Sequence, residues 1–549
     1  MITATHRSSH RFTTDPDPAV TIPECITLRA ARHPGHPAVI DGRTRLTSAE
    51  LMHASFRAAR FLAAAGVRRG DLVALQLPNR WESIAAMQGV WLLGGITTLI
   101  TPIYRTGELT NLFSDAPPRA VVVPGEYRGT DYAMQAAEAL HNAGADAPVL
   151  VLGELFAEAS GEASEAWRLG SESDDLPGGG SRSPRTQPDD VAILMFTSGT
   201  TGRAKGVLHT HRTLLHEAAS IAETFGLSGD AVFMPSPLTH VTGLLYGVLL
   251  PTLINGSVVL QDRWDPAEAA TNIERHKCTF TVSATPFLRG LADQYASRGE
   301  RSSLRVFVCG GADIPRDLVQ QASRTMGSDV CRTYGSTEMP TLTVVTPDLS
   351  APQRWETEGR PIGAARGRIV DATDGVGELE VIGPELFVGY LDPADNASAF
   401  TDDGWFRTGD LARLDDDVLR ICGRSKDLII RGGENISSKE IEDVLLSAPA
   451  IDDVAVVAIP DETMGERACA VVVAAPAGPD DRSGSTSPPL TLADLSAVLE
   501  SAGLARQKQP EALLIVDELP RTPSGKIQKF VVRERVREAL AEGRVVRRS

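Results

Sequence analysis

The sequence predicts an α/β protein with a large N-terminal domain of layered wound sheets and helices and a small α+β C-terminal domain. A chain of 549 residues exceeds the size at which one hydrophobic core stops growing, so two domains are expected. Helix-like and strand-like segments alternate through the first 150 residues, the pattern that builds α/β layers. Around 423–427 the strand-like run 418–422 ends at a glycine followed by charged residues, which divides the chain into 1–425 and 426–549.

The elements follow in order. Residues 47–66 read as an amphipathic helix with Leu51, Phe56, Ala59 and Leu62 on one side and a closing glycine suited to a left-handed cap. A strand at 72–77, a turn at Pro78-Asn79, a helix at 83–93 and strands at 120–123 and 149–152 complete a wound sheet. The most apolar stretch, 89–103, is broken by Gly94, Gly95 and Pro102. It falls short of the ~20 residues that span a bilayer and reads as a buried helix–strand pair. Residues 161–190 and 475–489 have the Ser, Gly, Pro and Asp content of surface loops.

Hydrophobic residues at 42% and charged residues at 23% describe an ordinary soluble globular protein. A net charge of -17 disfavours non-specific attraction to nucleic acid or to an anionic membrane. Neither partner is expected. Six cysteines without a C-x-x-C pair suggest neither zinc nor a disulfide framework. Residues 1–18 are polar and lack the apolar core of a secretory signal, so a cytoplasmic location is expected.

The chemistry begins at 191–206. An apolar run, Val191 to Phe196, leads into Thr197-Ser-Gly-Thr-Thr-Gly-Arg-Ala-Lys-Gly206, with helix-like sequence from Leu208. The reading is strand, loop, helix. Glycines let backbone N–H groups turn inward, the hydroxyls of Thr197, Ser198, Thr200 and Thr201 add donors, and Lys205 adds positive charge. Thr197, Ser198, Gly199, Thr200, Thr201, Gly202 and Lys205 therefore form a candidate polyphosphate-binding loop. Its spacing is not that of a Walker loop.

Further segments stand in order: Tyr334-Gly-Ser-Thr-Glu338, Gly359-Arg-Pro-Ile-Gly363, Gly377-Glu-Leu379, Gly389-Tyr390, Trp405-Phe-Arg-Thr-Gly-Asp410, Gly423-Arg-Ser-Lys-Asp427 and Pro523-Ser-Gly-Lys526. With the loop at 197–206 they resemble the acyl-adenylate-forming superfamily of acyl-CoA synthetases, peptide-synthetase adenylation domains and firefly luciferases. The resemblance covers roughly residues 46–530.

It implies an ATP-dependent acid–thiol ligase using ATP, Mg²⁺ and coenzyme A. Joining a carboxylate to ATP requires both anions to be neutralised and aligned. The resemblance gives Glu338 to Mg²⁺, a hard ion that takes a carboxylate with phosphate oxygens, and Thr197 and Thr337 to the α-phosphate. Gly310, Gly311, Ala312, Tyr334, Gly335 and Ser336 would surround the adenine. The family's alanine-proline after the paired glycines is Ala312-Asp313 here. Asp410 would accept both ribose hydroxyls, joined by Arg424 across a predicted hairpin. Lys526 would bridge the substrate carboxylate and the α-phosphate.

Members of the superfamily rotate a mobile C-terminal domain between two half-reactions. Lys426 occupies the hinge position, and Gly432 and Gly433 would leave room for the pantetheine arm. His240 occupies the position that lines and gates the acyl pocket, with Val241, Thr242, Gly243, Gly335 and Met339 also on the acid. The stretch 239–242 offers no carboxylate to hold an α-amino group, which disfavours an amino acid. Small Thr242 and Gly243 suggest a wide pocket. Residues 102–108, 239–243 and 425–435 look most like the cyclohexanecarboxylate–CoA ligase branch, which implies an alicyclic, medium-chain or polycyclic terpenoid acid. A stand-alone adenylase loading a carrier protein and a luciferase-like protein are the other readings. A homodimer is the assembly that the resemblance implies.

Overall fold

The computed structural model describes residues 20–156, 186–197, 204–311, 314–373, 375–424, 427–431, 434–461, 464–475, 490–502, 504, 506–522 and 525–547. The loops expected at 161–190 and 475–489 lie outside these residues apart from 186–190 and Ala475. Two compact units emerge: Met1–Trp355 with Gly359–Arg366 and Val381–Phe406, and Glu356–Glu358 with Gly367–Glu380 and Arg407–Ser549.

Two sheets organise the first unit. The six-stranded sheet runs Lys205–Thr210, Val191–Thr197, Ile96–Ile100, Leu72–Gln76, Ala120–Val123, Val149–Val151, parallel apart from its first pair. Leu72–Gln76 and Ile96–Ile100 are buried at every position, as strands covered on both faces must be. The helix Ser48–Ala64 starts where Thr47 and Glu50 cap one another's backbone, and buries Leu51, Ala58, Ala59 and Leu62. The helix Trp81–Leu92 and the strand Ile96–Ile100 divide the apolar stretch as expected.

The nine-stranded sheet has the order Arg360–Pro361, Thr343–Val344, Asp329–Tyr334, Val306–Cys309, Phe280–Ser283, Ala231–Met234, Ser257–Leu260, Pro37–Asp41, Thr44–Thr47. Its central strands are parallel, joined through helices such as Thr285–Arg298 and Arg316–Met326. Phe233, Phe307, Leu288, Leu291 and Val319 belong to the core that these elements enclose.

One local expectation is corrected. The segment from Leu208 does not begin as helix, nor do Lys205 and Gly206 belong to the loop: Lys205–Thr210 is a strand antiparallel to Val191–Thr197, with Lys205 paired to Thr197. Val207 and Leu208 complete the apolar sheet, and the helix His211–Phe225 starts only at the N-cap Thr210. The phosphate-loop sequence thus joins two strands.

The second unit holds a four-stranded sheet, Arg366–Thr373, Val376–Ile382, Phe406–Asp415 and Val418–Arg424. A six-stranded sheet is built on the long hairpin Ile451–Asp461 and Gly465–Ala474. The helices Ser438–Leu445 and Leu492–Ser501 pack on it through Ile441, Leu445, Leu495 and Leu499, and Lys529–Ala541 through Val532 and Val536.

Cys278, Cys309, Cys331 and Cys469 are buried and Cys25 and Cys422 half-buried, all unbridged. Burial pushes the thiols of Cys278, Cys309, Cys331 and Cys469 up to about 12 and that of Cys25 up to about 11, and raises Cys422 as well. Among the described residues no helix is long and apolar enough to cross a membrane.

Gly359 shows why its motif needs glycine. It has φ of +80°, and a Cβ there would lie 2.0 Å from the Val344 carbonyl oxygen. Gly42 has φ of +57° but open space around it. Gly42→Ala is therefore expected to cost about 1 kcal/mol, the backbone penalty alone, and Gly359→Ala more than ~2 kcal/mol. Urea unfolding midpoints of the two variants check this.

Candidate active site

Several candidate residues of the first unit lie at the C-terminal ends of parallel strands of the nine-stranded sheet, where open α/β sheets bind ligands. Val306–Cys309 runs into Gly310-Gly311, Asp329–Tyr334 into 335–341, and Ala231–Met234 into the 235–240 segment ending at His240. Gly310 packs against Thr333, where a Cβ would meet the Thr333 methyl at 2.5 Å.

The phosphate hairpin and Glu338 are joined by side chains. Lys205 Nζ lies 3.2 Å from Asp395 Oδ1 and 4.6 Å from the centre of the Tyr390 ring. The Tyr390 hydroxyl donates to Glu338 Oε1 at 2.8 Å, while Glu338 Oε2 makes no hydrogen bond among the described residues. Burial, then the Glu338 charge, pushes the Tyr390 phenol well above its ordinary value, so it stays protonated and donating. His209 Nε2 bonds the Thr337 carbonyl at 2.8 Å. A carbonyl only accepts, so Nε2 carries the proton, and burial holds the imidazole down to about 4 and neutral. Thr197 Oγ1 lies 3.5 Å from the Lys205 carbonyl, at the limit of a hydrogen bond.

His240 N-caps the helical turn Val241–Leu244, its Nδ1 accepting from the Thr242 N–H at 3.3 Å, and burial pushes its imidazole down to about 4. It is a neutral group. Gly243 is small for close packing: a Cβ would lie 2.0 Å from the Pro237 carbonyl oxygen. A large residue there would displace the 235–238 backbone rather than fill a pocket. A π-helical turn, Leu245–Leu249, continues the helix. It presents the Tyr246 hydroxyl to Glu217 Oε1 at 2.5 Å and Thr341 Oγ1 at 2.7 Å.

Behind Tyr246 lies a buried polar group. Glu385 Oε1 accepts from Ser220 at 3.1 Å and lies 3.6 Å from His216 Nε2. Burial raises Glu217 to about 7, and burial with the Glu217 charge raises Glu385 to about 8. Met339 shares this wall: a Cβ on Gly383 would meet Glu385 Oε2 at 2.6 Å and the Met339 methyl at 2.9 Å.

In the second unit Asp410 and Arg424 face each other across the expected hairpin, with Arg424 Nε donating to Asp410 Oδ1 at 3.0 Å. Lys526 is exposed on a tight turn closed by the Thr522 N–H to the Lys526 carbonyl at 2.8 Å, and Gly525 has φ of +85°. Ser198, Gly199, Thr200, Thr201, Gly202, Ala312, Lys426, Gly432 and Gly433 lie outside the described residues.

His209, Glu217, Tyr246, Glu385 and Asp395 carry no motif that would have drawn attention to them, and Asn79 was visible only as part of a turn. Tyr390 was visible only as part of a Gly-Tyr pair.

The profile of the AMP-binding enzyme family matches residues 26–391, and that of the AMP-binding enzyme C-terminal domain matches 440–526. The chain is 33% identical over 521 residues to the medium-chain fatty-acid–CoA ligase of Escherichia coli (strain K12), covering 93% of this chain and 89% of that one. It is 32% identical over 525 residues to a (methyl-dioxo-octahydroindenyl)propanoyl:CoA ligase of Mycobacterium tuberculosis, covering 94% and 98%. O-succinylbenzoate coenzyme A synthetase (MenE) from Bacillus subtilis, in complex with ATP and magnesium ion, matches in structure with a TM-score of 0.78 at 28% identity, over 93% of this chain and 99% of that one.

The buried acids predict a pH response. Raised from 4.5, Glu217 and Glu385 make the folded state the stronger proton binder, so stability is lost as pH rises from 4.5 toward about 7 and about 8. His209, His211 and His240, lowered from 6.5 to about 4, act in reverse and lose stability as pH falls through that range. Between pH 6.5 and 8 only the carboxyls of this set contribute. The unfolding free energy, and with it the melting midpoint, is expected to fall across that interval, the former by at most ~1.4 kcal/mol per pH unit per group, and Glu385→Gln to flatten the fall. Thermal melts of both proteins at four pH values measure it.

Proposed function

This chain belongs to the AMP-binding enzyme family, and on that premise we propose that it is an AMP-forming acyl-CoA ligase acting on a hydrophobic acid, alicyclic, polycyclic or medium-chain. In the first half-reaction a carboxylate oxygen attacks the α-phosphorus of ATP, the bond to the β-phosphate breaks, and pyrophosphate leaves. In the second, the coenzyme A sulfur attacks the acyl carbon, the bond to AMP breaks, and the thiol proton passes to solvent.

The observation that carries this reading is the joining of Lys205, Tyr390 and Glu338, which sets a cation at the foot of the phosphate hairpin beside an oriented carboxylate. No group of three His, Cys, Asp or Glu that could hold a metal ion occurs among the described residues. One carboxylate with a free oxygen suits Mg²⁺, which keeps waters and substrate phosphates as its other ligands. Glu338 would hold the ion, whose charge neutralises the phosphate oxygens.

Thr197 and Thr337 would bond the α-phosphate, with Ser198 to Gly202 wrapping the rest. Tyr334, Gly335, Ser336 and the Gly310 to Ala312 backbone would enclose the adenine. Asp410 would accept the ribose hydroxyls while Arg424 orients it. Lys526 would act in adenylation only. After rotation about Lys426, the hinge dividing 1–425 from 426–549, Gly432 and Gly433 would admit the pantetheine arm.

Neutral His240 with Val241, Thr242, Gly335 and Met339 would line the acid, while Gly243 lets the Pro237 carbonyl pack closely beneath them. Burial disfavours charge on Glu217 and Glu385, so neither offers a counter-ion for an amino acid. The relatives' acids, a medium-chain fatty acid and a fused-ring propanoate, agree with an apolar site. A carrier-protein-loading adenylase is the second reading. We place the enzyme in the cytoplasm as a homodimer.

AMP release measured with coenzyme A and with a carrier protein separates the two readings, coenzyme A being expected to lead. Lys526→Ala is expected to slow pyrophosphate exchange by about 3 kcal/mol of transition-state stabilisation while still converting presynthesised acyl-adenylate to thioester. Equal loss in both half-reactions would overturn its role. Among acids, a ring that hides a further ~100 Å² gains about 2.5 kcal/mol at 25 cal/mol per Å², so cyclic acids should exceed acetate in kcat/KM nearly a hundredfold. A profile led by acetate or a free amino acid would refute the assignment.

A further inference from the structure

The Pro78-Asn79 turn sits between the strand Leu72–Gln76 and the helix Trp81–Leu92, remote in sequence from every candidate site residue. Its asparagine is nevertheless buried, at 6% exposure, and its carboxamide is spent on another segment. Asn79 Oδ1 accepts from the Leu238 N–H at 2.8 Å. Nδ2 donates to the Ser236 carbonyl at 2.8 Å, with those of Gln261 and Pro235 at 3.3 and 3.4 Å. The orientation of the amide is fixed by its partners, because an N–H can only donate and a carbonyl can only accept.

The segment so gripped, 235–240, leads from Met234 to His240 and has no sheet ladder of its own. Its geometry passes to the helix through the Pro237 carbonyl oxygen, which accepts from the His240 N–H at 2.9 Å and abuts Gly243. On the other side Ser236 Oγ bonds Ser283 Oγ at 2.8 Å. A shift of Leu238 therefore moves His240 and the first helical turn together.

We propose that Asn79 is a positioning residue for the acid: through the 235–238 backbone its carboxamide sets where His240 and Val241 meet the substrate. This rests on the reading of His240 and Val241 as acid-binding. The nucleotide-side residues Thr197, Lys205, Thr337 and Glu338 hang from other strands and have no bond to Asn79. The acid and ATP are thus separable.

Pyrophosphate exchange with the full-length enzyme tests it, with cyclohexanecarboxylate as the acid. Asn79→Ala is expected to raise KM for the acid at least tenfold and leave KM for ATP within twofold. Asn79→Asp keeps the acceptor for Leu238 but turns an oxygen on the Ser236 carbonyl, so the same split is expected; it decides the matter should the alanine variant not fold. A general loss of structure would instead lower kcat or shift both constants alike, and that result, or an unchanged acid KM, overturns the proposal. His240→Ala serves as the control. If it leaves the acid KM unaltered, the acid-site reading itself falls; if it raises that KM while both Asn79 variants do not, only the role of Asn79 falls.

Discussion

The candidate site depends on how residues 335–341 are held. They run between the strands Asp329–Tyr334 and Thr343–Val344 without a ladder of their own, so their polar groups need partners elsewhere. Four bonds are internal to the turn: the Ser336 N–H to the Met339 carbonyl, the Leu342 N–H to the Tyr334 carbonyl, and the Glu338 and Met339 N–H groups to Ser336 Oγ. The rest come from outside: His209 on the Thr337 carbonyl, the Phe387 N–H on the Glu338 carbonyl, Tyr390 on the Glu338 carboxylate and Tyr246 on the Thr341 hydroxyl. Gly335 permits the fold-back, since a Cβ there would lie 1.9 Å from the Pro340 carbonyl oxygen. Three separate elements, the strand Lys205–Thr210, the segment 387–390 and the π-helical turn Leu245–Leu249, thus fix one short stretch of chain.

That arrangement explains the buried acids. Tyr246 meets Thr341 with the same hydroxyl that it shares with Glu217, and Glu217 lies close enough to Glu385 for its charge to oppose the ionisation of Glu385. Two ionised carboxyls in a dry interior would be expensive, and protonation removes that cost. The polar group around Tyr246 therefore carries less negative charge than two ionised carboxyls would bring.

Much of this was legible in the sequence because motif residues are contiguous and their chemistry is local. The Ser48–Ala64 helix, the Asp410–Arg424 hairpin and the buried strand after Gly95 follow from periodicity, caps and turns. Residues 208–210 were misread as the start of a helix because the six-residue strand Lys205–Thr210 carries a weak period-two signal, and only its partner Val191–Thr197 decides the matter. Gly243 was read as room for a ligand, although what it accommodates is a carbonyl from its own chain. The roles of Asn79, Glu217 and Glu385 were invisible for one reason: each residue acts on others more than twenty positions away, and no local pattern records such a meeting.

The six thiols carry a practical corollary. A thiol with a pKa near 11 is ionised to only about one part in a thousand at pH 8, and thiolate is the form that reacts. Four of the six are buried at about 12, Cys25 stands at about 11, and Cys422 is shifted in the same direction. A chromogenic disulfide added to a reaction mixture would therefore react with the free sulfhydryl of coenzyme A well ahead of the five thiols at about 11 to 12, and thioester synthesis can be followed by the disappearance of that colour.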